Sequence, residues 1–316
     1  MAQAASTPCS LTGRVALVAG ATRGAGRGIA RALGEAGATV YCTGRSTRTT
    51  GGPVAGVYAG RPERLEDTAA LVDAAGGRGV AVRVDHAVAA DVDDLAAVVR
   101  ADHGRLDLLV MDFWGDCAPV AFGTPFWDIP LEAARTTIDA TLWPHILTLR
   151  AMAPLLKAAA AARPSLVVEV AEGVGLHYRG QLFYDLAAVL RLRLTYALAE
   201  ELAPRGITVV GVTPGYMRTE LALDRFGVTE GTWRDAAGAD AAWAESESTV
   251  FVGRCVAALA GDAEVGRWAG RTHGSWELAR AYAIDDSTAR GPTSAPTFAR
   301  GGAPRRCRPG RRPAGS

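Results

Sequence analysis

Six short apolar runs, "RVALVAG", "ATVYCTG", "GVAVRVD", "LDLLVMD", "SLVVEVA" and "ITVVGVTP", alternate with longer amphipathic stretches such as "GRGIARALGEAG" and "LAAVVRADHG". Runs that are apolar at nearly every position suit strands covered on both faces. Parallel strands in turn need a crossover long enough to hold a helix. The pattern predicts a single α/β domain, a doubly wound parallel sheet of about seven strands flanked by helices, with the seventh strand near "RWAGRTHGS". Loops are expected at 46–62 and 220–246, and no internal repeat or second domain is visible. The expected organisation is a flexible N-terminus over 1–10, the folded domain over 11–289, and a basic Pro/Gly-rich disordered tail over 290–316.

Composition narrows the function classes. With 316 residues, 49% of them hydrophobic, the chain can bury a full core. No apolar run reaches the roughly 20 residues of a membrane span, and "MAQAASTPCS" has no signal-peptide pattern, so a cytoplasmic location and no membrane are expected. Five cysteines and five histidines are scattered without ligand spacing, which predicts no metal site. The net charge of +1 hides an asymmetry: residues 290–316 hold seven arginines and no acid, leaving −6 on the rest. The folded part is mildly acidic, and the basic tail reads as a solvated one rather than as a contact to nucleic acid.

The first strand runs into "AGATRGAG", where Gly20, Gly24 and Gly26 form a G-x-x-x-G-x-G turn at the start of a helix, with Thr22 and Arg23 inside it. Glycines at a strand-to-helix turn let backbone approach a pyrophosphate, which meets the positive end of the helix dipole. The second strand ends in "CTGRS". An NAD site usually places an acid there, whereas Arg45, with Arg23, Ser46 and Thr47 nearby, suits the 2′-phosphate of NADP(H).

These features, with "RLDLLVMDFWG", Tyr184 on its helix and "VTPGYMRTE", resemble the short-chain dehydrogenase/reductase family over roughly residues 11–285. "PFWDIP", "GRCVAALAGD" and "WELARAYAIDD" resemble the branch of dehydrogenase/reductase SDR family member 1 and its bacterial relatives. The resemblance implies a single-domain Rossmann fold, a small-molecule substrate and a homodimer or homotetramer. It also implies that Asp85 meets the adenine, that Pro214, Gly215 and Thr219 line the nicotinamide side, and that Tyr184 is the general acid/base.

The catalytic positions depart from the family pattern. The family lysine, four residues after the tyrosine, is Ala188, and the only lysine in the chain is Lys157. "LVVEVAEGVG" puts Glu172 (or, one off, Ala171) at the serine position, "TTIDATLW" puts Asp139 at the asparagine, and Met111 to Trp114 replace Asn-Asn-Ala-Gly. Arg191, one turn past Ala188, could lean toward the ribose but reads more simply as a surface arginine. Glu172, if buried near Asp139 or Asp112, would hold a proton and could polarise a carbonyl. His177 and Tyr178 are expected beside the same pocket, and 220–246, with Trp233 and Trp243, is expected as a lid over a bulky apolar substrate. Three readings stay open. The first is an atypical NADP(H)-dependent reductase of a carbonyl or enone. The second is a non-redox isomerase, dehydratase or cyclase on the same scaffold, and the third is an NADP-binding protein without catalysis.

Overall fold

A computed structural model describes residues 10–54, 56–114, 122–238, 240 and 242–286. The expected flexible N-terminus (apart from Ser10), the basic tail and Cys117 lie outside the described residues. The chain alternates strand and helix: β1 (Val15–Ala19), α1 (Gly24–Glu35), β2 (Thr39–Gly44), α2 (Leu65–Ala74), β3 (Arg78–Arg83), α3 (Ala89–His103) and β4 (Leu108–Met111). It continues with α4 (Leu131–Ala160), β5 (Ser165–Val170), α5 (Leu182–Leu202), β6 (Ile207–Thr213), β7 (Met217–Arg218) and α6 (Glu220–Phe226). The last part holds β8 (Glu247–Ser248), α7 (Thr249–Gly261), β9 (Thr272–Gly274) and α8 (Ser275–Tyr282).

Seven strands form one parallel sheet in the order β3-β2-β1-β4-β5-β6-β9. All six apolar runs become strands, and β9 lies in "RWAGRTHGS" as expected. The order reverses between β1 and β4, which opens a crevice at the carboxyl ends of those strands.

Alternation along each strand builds two cores. Val18, Val40, Val110, Val168 and Val210 face a layer containing Ile29 and Leu33 of α1 and Phe251, Val252 and Val256 of α7. Their neighbours Leu17, Tyr41, Leu109, Val167 and Val209 face Leu95 and Val99 of α3 and Leu149, Met152 and Leu156 of α4. Helices α1 and α7 touch backbone to backbone: a Cβ on Gly28 would collide with the Thr249 carbonyl, and one on Gly253 would crowd the Gly28 carbonyl. That contact fixes the end of α1 that faces the crevice.

The stretch 220–246 departs from the expected loop. It holds α6 and two short 3-10 turns at Trp233–Ala236 and Trp243–Glu245. Trp233 and Trp243 are buried in a small core of their own, against Tyr216, Leu223 and Phe226. The Trp243 indole N–H donates to the Trp233 carbonyl at 2.8 Å. These tryptophans fold on each other and are not the lining of an apolar substrate pocket, which corrects that expectation.

The two-stranded pair β7-β8 was not legible in the sequence, and it is held from behind. Arg218 is buried and bonds Glu230 at 2.8 Å, Asp286 at 3.2 Å and the Ser246 carbonyl. Asp286 also accepts the Ser248 N–H and hydroxyl, both at 2.8 Å. The last described residue is thus a latch on the loop after β6. Deleting residues 291–316 is expected to shift the thermal midpoint by no more than a few degrees. Asp286→Ala should cost about 3–5 kcal/mol, the scale for breaking a buried ion pair, as measured by denaturant melts of the two proteins.

Candidate active site

The glycine turn leaves the positive end of α1 without a cap from its own side chains. Gly20 sits at φ +93°, and a Cβ there would collide with the Asp112 carbonyl at the end of β4. The α1 N-cap is Arg23, with no side-chain cap and no acid in the first turn. Its first N–H groups therefore take partners from other segments. One of them has found an anion: the Gly24 N–H donates to Glu220 Oε2 at 2.8 Å, and Arg27 lies 3.9 Å from the other oxygen. Glu220 is the first residue of α6, which is capped by Thr219 accepting the Ala222 N–H at 3.2 Å. The Glu220 carboxylate marks this helix start as a place for an anion, and the donor set fits an anionic dinucleotide.

The remaining loop residues gather around it. Thr22 is buried against Gly44, and the Asp112 carboxylate accepts the Gly26 N–H. Arg23 reaches the buried Ser46 hydroxyl at 3.5 Å, bonds Glu63 at 3.4 Å and lies 4.9 Å over the Tyr58 ring. Glu63 also pairs with Arg61. Burial works to raise its carboxyl, but the two arginines hold it below the usual carboxylate range. Arg45 is exposed at the end of β2. Asp85, two residues past β3, accepts the Ala87 N–H at 3.0 Å.

At the other end of the crevice, the loops after β5 and β6 are tied together. The Thr213 hydroxyl accepts the Gly173 N–H at 2.8 Å beside Pro214, and Gly215 donates its N–H to buried Glu247. Arg179 bonds the Glu172 carbonyl at 2.5 Å and Asp185 at 3.0 Å, fixing the turn that leads into α5. Tyr184, in the first turn of α5, donates its hydroxyl to the Glu172 carboxylate. Trp114 stacks on the tyrosine ring at 5.3 Å and 6°, and Phe122 meets it edge-on at 5.6 Å. Burial first, then the Glu172 charge, push the Tyr184 phenol above its ordinary range.

Arg191 is not a surface residue. Its side chain is 1% exposed, and it lies on the buried stripe Ala188, Arg191, Thr195 and Ala199. Nη1 donates to the Val170 carbonyl at 2.8 Å, and the guanidinium lies 4.0 Å from the Trp114 ring. Glu169, Glu172, Asp112 and Tyr184 surround the charge, while Nε and Nη2 have no hydrogen-bond partner. Burial pushes the Asp112 carboxyl up to about 6, against the pull of Arg191 and the Gly26 N–H.

Asp139 is not brought to Tyr184. Its side chain is 60% exposed and pairs with Arg135 at 3.3 Å on the outer face of α4. The Glu172 side chain is 43% exposed, so the buried carboxylate cluster expected from the sequence does not assemble. His177 and Tyr178 are likewise exposed. The residue that α4 does turn inward is His145, six positions on and about 240° around the helix from Asp139. His145 bonds Glu169 at 2.8 Å and the Phe113 carbonyl at 3.2 Å, and its ring packs on Phe113. Among the described residues no group of His, Cys, Asp and Glu is arranged to hold a metal ion, and no helix is long and apolar enough to cross a membrane.

A profile of the short chain dehydrogenases matches residues 14–226. The chain is 32% identical over 289 residues to mouse dehydrogenase/reductase SDR family member 1, covering 89% of this chain and 85% of that protein. It is 30% identical over 212 residues to a 3-oxoacyl-[acyl-carrier-protein] reductase of a Synechocystis species, covering 67% and 77%. The chain belongs to the short-chain dehydrogenase/reductase family. Among solved structures, a short chain dehydrogenase from Mycobacterium thermoresistibile superposes with a TM-score of 0.72 at 17% identity, covering 91% of this chain and 95% of that one. The Pseudomonas aeruginosa RhlG/NADP active-site complex superposes with a TM-score of 0.64 at 23% identity, covering 85% and 97%. Membership makes this short-chain dehydrogenase an oxidoreductase, in a family that uses NAD(P)(H).

Glu247, behind Gly215, gives the site a pH signature. It is wholly buried, accepts the Ser275 hydroxyl at 2.7 Å, and burial pushes its carboxyl up to about 8. A carboxyl raised on folding supports stability while protonated, and that support is lost as pH rises from the unfolded value toward about 8. Glu247→Gln keeps the acceptor and removes the charge. Its thermal midpoint should match the parent near pH 5 and exceed it at pH 8, and a pH-independent difference would contradict this.

Proposed function

We propose that this short-chain dehydrogenase is an atypical NADP(H)-dependent reductase of a carbonyl or enone, with Tyr184 and Glu172 acting as one acid–base unit. The observation that carries the reading is the hydrogen bond from the Tyr184 hydroxyl to the Glu172 carboxylate, in the crevice that opens onto the α1 N-terminus. When bound, the dinucleotide supplies the hydride. Tyr184 supplies the proton to the substrate oxygen, and its raised phenol keeps that proton available across neutral pH. Glu172, partly open to water, returns a proton to the phenol from solvent, a task that needs a group in contact with both. Trp114 and Phe122 frame the phenol with apolar surface, which suits a bulky apolar substrate.

NADP(H) is favoured by Arg23 at Ser46, by Arg45 at the end of β2, and by the absence of an acid from the end of that strand. The P. aeruginosa relative is described as an NADP complex, in keeping with this. Glu63 would yield its share of Arg23 to a 2′-phosphate. NADPH should bind at least about tenfold tighter than NADH in fluorescence titrations, and Arg45→Asp should erase the difference. Equal dissociation constants in the parent would sink the preference.

The alternatives, a non-redox isomerase, dehydratase or cyclase and an inactive binder, differ in one ordering. In a reductase, Tyr184→Phe should abolish NADPH-dependent turnover, while Glu172→Gln should lower it by about tenfold to a hundredfold, within the range for general acid–base help. Carboxylate chemistry would reverse that order, and a binder would respond to neither change.

Leu131, Trp143, Leu186 and Tyr196 are exposed on α4 and α5. Covering these side chains by a second copy supports a homodimer or homotetramer. Light scattering at micromolar concentration should give a multiple of the chain mass; a monomer would count against it.

A further inference from the structure

The amino ends of β1, β4 and β5 carry a group of charges that the crevice, at the carboxyl ends, does not use. Asp107, just before β4, is buried and accepts the Val15 N–H at 2.9 Å. Three arginines converge on its carboxylate: Arg163 Nε at 3.1 Å, Arg105 Nε at 3.4 Å and Arg14 Nη1 at 3.6 Å. One cation neutralises the aspartate, so the group holds a surplus of two positive charges. The chain around it is mildly acidic, with −6 on residues 1–289.

A structural role for Asp107 accounts for one arginine. Further exposed ion pairs contribute little, and like charges gathered on one carboxylate repel each other. The extra arginines also have donors to spare. Arg163 bonds through Nε alone, and neither of its Nη groups has an acceptor among the described residues. Arg105 gives Nη2 to the Gly13 carbonyl at 2.8 Å, and its Nη1 has no acceptor among them. Both side chains are 40% exposed, so a ligand meets them from solvent. A cleft lined by Leu11, Arg14, Asp107, Leu108 and Ala260 opens beside the same carboxylate. Its enclosed part, about 10 Å³, holds no more than one water, which places any larger ligand at the surface, on the guanidiniums.

A surplus of two charges suits a dianion. A carboxylate would leave one charge unmatched. A phosphate monoester brings about two charges and three acceptor oxygens, and guanidinium forks take phosphate oxygens in pairs. We propose that Arg14, Arg105 and Arg163 bind a phosphate group, as the free ion or as a monoester, at the amino end of the sheet. The length of β1, roughly 16 Å for five residues, separates this site from the crevice. A bound phosphate joins the segments that lead into three adjacent strands.

The test titrates the full chain with inorganic phosphate and with glycerol 3-phosphate, following heat and thermal midpoint. Ionic strength is held fixed, because salt screens exposed charges over about 8 Å. The parent should bind both saturably, with glycerol alone inert. At phosphate tenfold above its Kd, the folding equilibrium should shift by about elevenfold. Arg163→Gln and Arg105→Gln should each weaken phosphate by about tenfold, the scale of a lost charge-assisted hydrogen bond. Arg163→Lys keeps the charge and loses the fork, so it should weaken binding by a smaller factor that is still measurable. Arg23→Gln, in the crevice, should leave this binding as in the parent. Absence of saturable binding in the parent would overturn the proposal. So would an Arg163→Lys protein as tight as the parent, which would reduce the group to a diffuse field, and so would loss of binding in Arg23→Gln with the Arg163 and Arg105 variants unaffected.

Discussion

A charged guanidinium with almost no exposure to water organises the Tyr184 end of the crevice. Taking a cation out of water costs several kcal/mol unless opposite charge and hydrogen bonds meet it. Arg191 is met from three directions: Glu169 and the Val170 carbonyl from β5, Glu172 from the loop that follows, and Asp112 with Trp114 from the end of β4. Those elements are adjacent in the sheet, and the Arg191 charge binds them to α5. Tyr184 stands on the same helix, one turn before Ala188, with its ring against Trp114 and its hydroxyl on Glu172. Ala188 is fully buried beside this arrangement; a lysine there would bring a second cation into a solvent-excluded site.

The other end of the crevice is held by a charge at the place proposed for the dinucleotide. Glu220 sits on the α1 N-terminus and bonds the Gly24 N–H. The helix dipole favours an anion at that position, so the contact keeps the glycine turn in shape and ties α6 to it. A phosphate can take the same N–H only when the carboxylate leaves. The α6 segment is attached to the Trp233–Trp243 core and, through Arg218, to Asp286, the last of the described residues.

The sheet, the glycine turn and Tyr184 were legible because each is a local pattern: a period, a spacing, or a residue in a fixed place on a helix. The rest depends on contacts between distant segments. Glu63 meets Arg23, and Glu220 meets Gly24, across separations that no spacing encodes. Arg191 read as a surface residue because a single arginine among leucines usually marks the wet side of a helix. Its three-residue step from Ala188 nevertheless puts it on the buried face. Asp139 was placed in the site by position in a motif, but the turn of α4 points it outward and brings His145 in. The tryptophans of 220–246 satisfied each other, an outcome that composition alone does not reveal.

The α1 N-terminus and the Tyr184–Glu172 pair are proposed to serve the same bound dinucleotide. A crystal structure of the NADPH complex tests this most directly. It should show a phosphate oxygen on the Gly24 N–H with Glu220 withdrawn, and the reduced nicotinamide ring beside the Tyr184 hydroxyl. A complex in which Glu220 still caps Gly24, or in which the nicotinamide lies away from Tyr184, would contradict it.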